Sequence, residues 1–425
     1  MSAAGPRGIM PRMFLRSVRL ENVRSLAELE LDFAAAGNES RRWTLVLGEN
    51  GCGKSTILRA IALVLAGTEA LPELLGDPDG WIGKAADAAA IEVEIVTKAR
   101  QRRRVRLVLQ RGVGRTETLK RNAENLAALD AALAHAQRSY LVAGYGVSRR
   151  LTHDAGVGTR ETQGTPRSRA VASLFTPDAQ LQSLESWAMD LEYRHGKAGL
   201  ALVKEAIAGI LPGVEFAKVD RQQRVLLFKT QDGLVPLARL SDGYQQVAAW
   251  VGDLLYRITE TFGDYRNPLA ARGLLLIDEL ELHLHPLAQR RLRAFLDDKL
   301  PNFQIVATTH SALTAQQAEA GELFYLRRDE RSRTPQLHAF AADPQKLFAH
   351  QLLLSDAFGV TTLQSPSVER MRERYLELRD RKKLGKAEAK EFAVLVEELR
   401  RMPDWTKVGT PPPPRESRRK TRGDR

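Results

Sequence analysis

A single cysteine, Cys52, stands among 425 residues, which excludes an intrachain disulfide and any all-cysteine zinc site. No apolar run reaches the roughly 18 residues that a membrane span needs. The best stretch, Ile57 to Ala66, is broken by Arg59. Nor does Met1 to Met13 read as a secretory leader, because proline and glycine stand where an apolar core belongs. These deficits point to a reducing cytoplasm and away from the membrane. No internal repeat is visible either, so a solenoid is not expected. What is present in bulk is ordinary: 43% hydrophobic and 27% charged residues are the mix of a soluble globular chain. Its length suits about three domain equivalents. The 64 basic against 52 acidic residues, a net +12, make a polyanionic partner plausible.

Alternation dominates the N-terminal part. Ala27, Leu29, Leu31 and Phe33 interleave with Glu28, Glu30 and Asp32, and Ile91, Val93 and Ile95 with Glu92 and Glu94; Val105, Leu107 and Leu109 form a third set. A period of two marks a strand buried on one face, and the three sets predict an antiparallel sheet. The continuous apolar runs Trp43 to Leu47, Leu274 to Ile277 and Ile305 to Ala307 suit parallel strands covered on both faces. Helical patterns separate them, so an α/β core is expected. Candidate helices Leu126 to Ala136, Leu181 to Tyr193 and Leu200 to Ile210 make 119–239 a mainly helical insert, between an N-terminal lobe at 13–118 and a second core part at 240–343. A C-terminal helical region at 344–402 follows, with a break near Leu384 and Gly385. The Pro/Arg-rich tail at 403–425, with Pro411 to Pro414 and then six basic residues, is expected to be disordered.

The sharpest motif is Gly48-Glu49-Asn50-Gly51-Cys52-Gly53-Lys54-Ser55-Thr56, a complete G-x-x-x-x-G-K-[ST] loop. A buried strand feeds it, and a helix with Ile57, Leu58, Ile61, Ala62 and Leu65 on one face leaves it. Glycines let the backbone wrap closely, so that N–H groups and the helix N-terminus face phosphates. Gly48, Asn50, Gly51, Cys52, Gly53, Lys54, Ser55 and Thr56 are therefore candidate ATP contacts. Lys54 is expected at the β- and γ-phosphates and Ser55 at magnesium; the Cys52 side chain reads as a small filler of the loop. A second motif, Leu274 to Glu279, delivers two carboxylates to a strand end, where ligands of open α/β sheets sit. Asp278 is suited to hold magnesium and Glu279 to polarise the attacking water. Leu240-Ser241-Asp242-Gly243-Tyr244-Gln245-Gln246 opens an amphipathic helix with Ser241 as N-cap; alone, it reads equally as a capped core helix. Last comes Ala307-Thr308-Thr309-His310-Ser311, a histidine leaving an apolar strand.

Those four motifs in this order resemble the ATPases of the ABC and SMC superfamily. The resemblance implies an ABC-type ATPase fold with an antiparallel β lobe and a mixed or parallel core sheet. It implies ATP and Mg2+ as cofactors, Glu279 as catalytic glutamate and His310 as switch histidine. It also makes LSDGYQQ the signature motif, whose Ser241 and Gly243 meet the nucleotide of a second copy in an ATP-held homodimer. More narrowly, Ile277 to Pro286 with Pro301 to Ser311 is similar to bacterial RecF-like and OLD-like ATPases found in anti-phage systems. Tyr145 to Arg150 and Phe358-Gly359 are similar to Septu and retron-associated members. The glutamine loop of the superfamily has one candidate, Gln137, and His283 and His285 are expected to serve a dimer-facing structural role rather than to bind a metal.

Spacing narrows the choice. From Thr56 to Leu240 there are 184 positions without sustained heptads, too few for the arms of a true SMC protein. The 115 residues after His310 hold no D-x-D pair of the kind a two-metal TOPRIM nuclease needs, so a nuclease effector is expected on another chain of the same operon. Arg100, Arg102, Arg103, Arg104, Arg106, Arg111 and Arg115 form either a solvated strand edge or a surface for non-specific DNA. Three functions stand: an ATPase whose nucleotide-dependent dimerisation gates a defence complex, a RecF-like repair ATPase, and a nucleotide-held scaffold with little turnover.

Overall fold

The structure, a computed structural model, describes residues 13–35, 40–97, 101–136, 140–149, 165–208, 214–262, 268–329, 331–381 and 383–402. Gln137, Arg100, Arg150 and the 403–425 tail lie outside the described residues. The chain divides into two compact units, 1–360 and 361–425.

Unit 1 opens with β1 (Phe14–Val23), β2 (Leu26–Asp32), β3 (Trp43–Gly48), α1 (Lys54–Leu65), α2 (Leu71–Leu74), β4 (Ala88–Val96), β5 (Arg102–Gln110) and α3 (Arg115–Ala136). It continues through β6 (Leu141–Tyr145), α4 (Pro166–Val171), α5 (Leu184–His195), α6 (Lys197–Ile207), β7 (Glu215–Asp220), β8 (Val225–Thr230), β9 (Gly233–Pro236) and α7 (Asp242–Thr261). It ends with β10 (Gly273–Ile277), α8 (Pro286–Lys299), β11 (Phe303–Thr308), α9 (Ala312–Ala315), β12 (Leu323–Arg328), β13 (Pro335–Ala339) and α10 (Ala349–Leu353).

The alternating segments form a four-stranded antiparallel sheet in the order β2-β1-β4-β5. One position differs from the pattern: Leu26, not Ala27, points inward, opposite Val23 and next to Asn22 and Arg24, both of which take a positive φ of 54°. The continuous apolar runs form the core sheet, ordered β13-β12-β3-β11-β10-β6. Five of its strands are parallel, and only β13 at the edge runs the other way. The fold is therefore mixed α/β, an antiparallel lobe beside a mostly parallel core sheet. Gln304 in β11 joins them: its side-chain amide exchanges hydrogen bonds with the N–H (2.9 Å) and carbonyl (3.0 Å) of Leu15 in β1.

Side chains of the core strands alternate between two apolar clusters. Val46, Leu274, Leu276 and Val306 pack with α1, whereas Leu45, Leu47, Leu275, Ile277, Ile305 and Ala307 pack with α7. The two helices thus cover opposite faces of one sheet. Segment 119–239, expected to be mainly helical, also supplies four strands. β6 completes the core sheet beside β10, and β7, β8 and β9 form a small antiparallel sheet whose Leu226 and Phe228 enter the α7-side cluster. The run Leu141 to Tyr145 is too short for a helix and is covered on both faces, as a parallel strand is.

Of the C-terminal helical region expected from 344, α10 belongs to unit 1. Unit 2 is a hairpin of α11 (Pro366–Arg379) and α12 (Lys386–Arg400). Tyr375 stacks on Phe392 at 5.3 Å, and Arg374 grips Glu391 through Nε (2.9 Å) and Nη2 (3.0 Å). Among the described residues no helix is long and apolar enough to cross a membrane.

Candidate nucleotide-binding site

β3 ends in the middle of the core sheet and its chain turns back into α1 through Gly48, Gly51 and Gly53, all at positive φ. Two of these glycines are required sterically. A Cβ at Gly48 would lie 2.7 Å from the Leu326 carbonyl of β12, and one at Gly53 2.9 Å from Leu26 of the first hairpin. β12 of the core sheet and β2 of the antiparallel lobe thus both leave no room for a side chain on the loop. Cys52 is fully buried among the residues packed on α1, which agrees with its reading as a filler.

Lys54 begins α1 and is 6% exposed. Its Nζ donates to the carbonyls of Gly48 (2.7 Å) and Glu49 (2.9 Å). Burial pulls this ammonium below its ordinary value, against the opposing attraction of Asp278, Glu279 and Glu281. No acidic residue lies in the first turn of α1, so the positive end of the helix is left unneutralised. Ser55 is half-buried and Thr56 buried in that turn. Arg328, at the end of β12, donates to the Gly51 carbonyl at 3.0 Å.

β11 lies between β3 and β10, and its C-terminal threonines organise the carboxylates. Thr308 Oγ1 donates to Asp278 Oδ1 (2.6 Å) and accepts from the Glu279 N–H (2.7 Å). Thr309 Oγ1 donates to Glu281 Oε2 (2.6 Å), whose Oε1 accepts the His310 N–H at 2.7 Å. Asp278 is 3% exposed and Glu281 8%, while Glu279 turns outward with a left-handed φ of 48°. His310 Nε2 stands 3.9 Å from Glu279 Oε1, within ion-pair reach but too far for a hydrogen bond.

Lys54, Ser55, Asp278, Glu279 and His310 therefore gather at the C-terminal ends of three adjacent strands. Ser241 and Gly243 belong to α7, which covers the face opposite α1. Ser241 occupies the N-cap position, exposed and without a side-chain capping bond. Gly243 has an in-chain reason to lack a side chain: its Cβ would lie 2.3 Å from the His283 carbonyl. His283 itself takes a positive φ of 61°, and His285 caps α8 by accepting the Leu287 N–H on Nδ1. No cluster of three or more metal-ligating side chains occurs among the described residues.

Glu281 and Arg149 were not singled out from the sequence. Glu281 hides in the same E-L-E run as Glu279, and only its burial separates the two. Arg149 lies within the Tyr145–Arg150 motif noted for its resemblance, but its partners at Asp278 and Glu279 are 129 and 130 residues away.

Residues 17–137 match the family described as "AAA domain", and residues 171–315 match "AAA domain, putative AbiEii toxin, Type IV TA system". The Septu protein PtuA of Bacillus mycoides (strain KBAB4) is 24% identical over 400 residues, 93% of this chain and 51% of that protein. The chain is thus similar to Septu and retron-associated proteins. The retron Ec83 probable ATPase of Escherichia coli is 29% identical over 136 residues, 32% of this chain and 25% of that protein. The chain thus spans about half the length of the first relative and a quarter of the second. Among solved structures, an Smc head domain from Pyrococcus furiosus, bound to the C-terminal domain of ScpA, has a TM-score of 0.44 at 14% identity, covering 80% of this chain and 98% of that one.

Proposed function

We propose that the chain binds and hydrolyses ATP with Mg2+, and that nucleotide-dependent pairing of two copies gates a bacterial anti-phage defence complex with a separate effector nuclease. The observation that carries the reading is the convergence of a buried Lys54 with Asp278, Glu279 and His310 at the C-terminal ends of the central strands of the core sheet. The donor set suits the cofactors: an ammonium whose hydrogen bonds go to loop carbonyls, facing hard oxygen donors on Ser55 and Asp278. Lys54 and the first N–H groups of α1 would hold the phosphates, and Ser55 and Asp278 the magnesium. Bound there, the ion would offset charge developing on the phosphate oxygens. Glu279 orients water and draws its proton, and His310 beside it senses the terminal phosphate.

Pairing is supported by the two faces of the sheet: Ser241, exposed and without a side-chain capping bond, starts a helix on the side away from α1, and a helix N-terminus suits a phosphate on a second copy. Non-specific DNA is the weaker partner. Arg102, Arg104 and Arg106 of β5 already pair with Glu94, Glu92 and Glu21, which cancels much of the charge a duplex would meet. A RecF-like repair role and a scaffold with little turnover share the same site.

Glu279→Gln tests the reading. Steady-state ATPase should fall by about 100-fold or more with nucleotide binding retained, since general-base removal alone costs about 10²–10⁴. Turnover at the wild-type rate would overturn it, and an inert wild-type chain would favour the scaffold.

A further inference from the structure

Arg149 is 2% exposed, just beyond the C-terminal end of β6, the strand hydrogen-bonded to β10. Among the described residues no carboxylate lies within ion-pair distance of it. Its Nε donates to the Gly146 carbonyl (2.7 Å), and its Nη2 to the carbonyls of Asp278 and of Glu279, the latter at 2.7 Å. The Trp250 ring of α7 lies 6.0 Å from the guanidinium carbon. Burial lowers this arginine to about 10, opposed by Asp278, Glu281 and Glu279. A desolvated charge spent on carbonyls is an expensive arrangement, so the conformation it stabilises matters.

That conformation is the turn at Glu279. Carbonyls of two successive residues converge on one nitrogen where the chain reverses, and Glu279 adopts the left-handed φ that a residue with a side chain seldom takes. Thr308 Oγ1 holds the same turn through the Glu279 N–H. Behind Arg149, Gly146 is fixed in its turn: its N–H donates to Ser173 Oγ at 3.2 Å, and its Cβ would stand 2.1 Å from the Ser173 carbonyl.

We propose that Arg149 is a positioning residue for hydrolysis, clamping the Asp278–Glu279 turn so that the Glu279 carboxylate keeps one direction, with its seat on Trp250 linking that turn to α7. This rests on the ATPase reading above. Among the described residues Arg149 hydrogen-bonds to backbone carbonyls alone, so it acts through Glu279.

The test uses the full chain and Arg149→Lys, which keeps the charge but loses the fork that reaches two carbonyls. A displaced catalytic group costs up to about 100-fold, so kcat should drop between 10- and 100-fold with KM for Mg·ATP unchanged. On a Glu279→Gln background the same change should cost nothing further, because residues acting as a unit are not additive. Hydrogen exchange should quicken in peptides spanning 277–282, which reads the clamp without turnover. Wild-type kcat and exchange in Arg149→Lys overturn the proposal, as do losses that multiply in the double variant or a raised KM with kcat intact. Arg149→Gln is the second variant should Arg149→Lys fail to fold. An inert wild-type chain overturns the ATPase reading and this role with it, whereas an active wild type with unaffected variants overturns this role alone.

Discussion

Thr308 and Lys54 show at the level of single residues how the site is held before any ligand arrives. Thr308 Oγ1 serves two masters, donating to Asp278 and accepting from Glu279 N–H. Thr308→Val preserves shape and removes both bonds, leaving a buried carboxylate oxygen and an N–H unpaired. It should cost about 1–3 kcal/mol for each group left unsatisfied, measured by urea denaturation, and should lower ATP turnover. Wild-type stability in that variant would count against the hydrogen-bonded turn. Lys54 has the opposite sign. Because its charged form is disfavoured by burial, Lys54→Met should leave the melting temperature of the ligand-free chain unchanged or raised. The stabilisation by Mg·ATP should vanish, where the wild type gains about 2.7 kcal/mol at a ligand concentration 100 times Kd. Calorimetry with and without nucleotide reads both.

Among the elements, α7 carries the strongest constraint. Its first turn meets the loop after β10 at Gly243 and His283, and its middle meets Arg149 at Trp250. A buried carboxylate locks it to β6 as well: Asp253 accepts from Tyr145 Oη at 2.8 Å and from Arg257 Nε at 2.6 Å. Gly243→Ala must therefore push His283 away by its backbone and should reduce turnover. Ser241→Arg is a different perturbation, since Ser241 is exposed and makes no capping bond. It should leave ATP affinity and melting temperature near normal but block ATP-induced pairing in sedimentation and stop turnover. If Ser241→Arg hydrolyses ATP as the wild type does, the two-chain site is wrong and α7 is only a core helix. β5 pairs much of its charge within the sheet: its basic run is half of a cross-strand ladder, the other half being Glu21, Glu92 and Glu94.

At the scale of the whole molecule, all the candidate site residues fall in unit 1, which has its own two apolar clusters. Removing 361–425 should leave a soluble chain with nucleotide-dependent stabilisation intact. The hairpin of α11 and α12 has no fully buried residue on α12, and its charged surface is held by pairs such as Arg374–Glu391. Loss of solubility or of nucleotide response after the truncation, seen by gel filtration and melting curves, would show that the hairpin supports the core.

Local chemistry settled what could be read without coordinates. The glycine-rich loop between an apolar strand and an amphipathic helix declared α1 and its lysine, because a strand, a tight turn and a helix are written in neighbouring residues. The antiparallel lobe was legible from its period of two, with the slip at Leu26 hidden in a turn. Asp278, Glu279 and His310 were nameable from motifs, yet their meeting was not, since it depends on β11 lying between β3 and β10. Long-range placement alone revealed β6 as the strand beside β10, Arg149 beneath the Glu279 turn, Glu281 as the anchor of His310, and His283 as the neighbour of Gly243. Each of those contacts joins residues between 29 and 132 positions apart. Sheet order brings such groups together, and no nearby pattern in the chain encodes it.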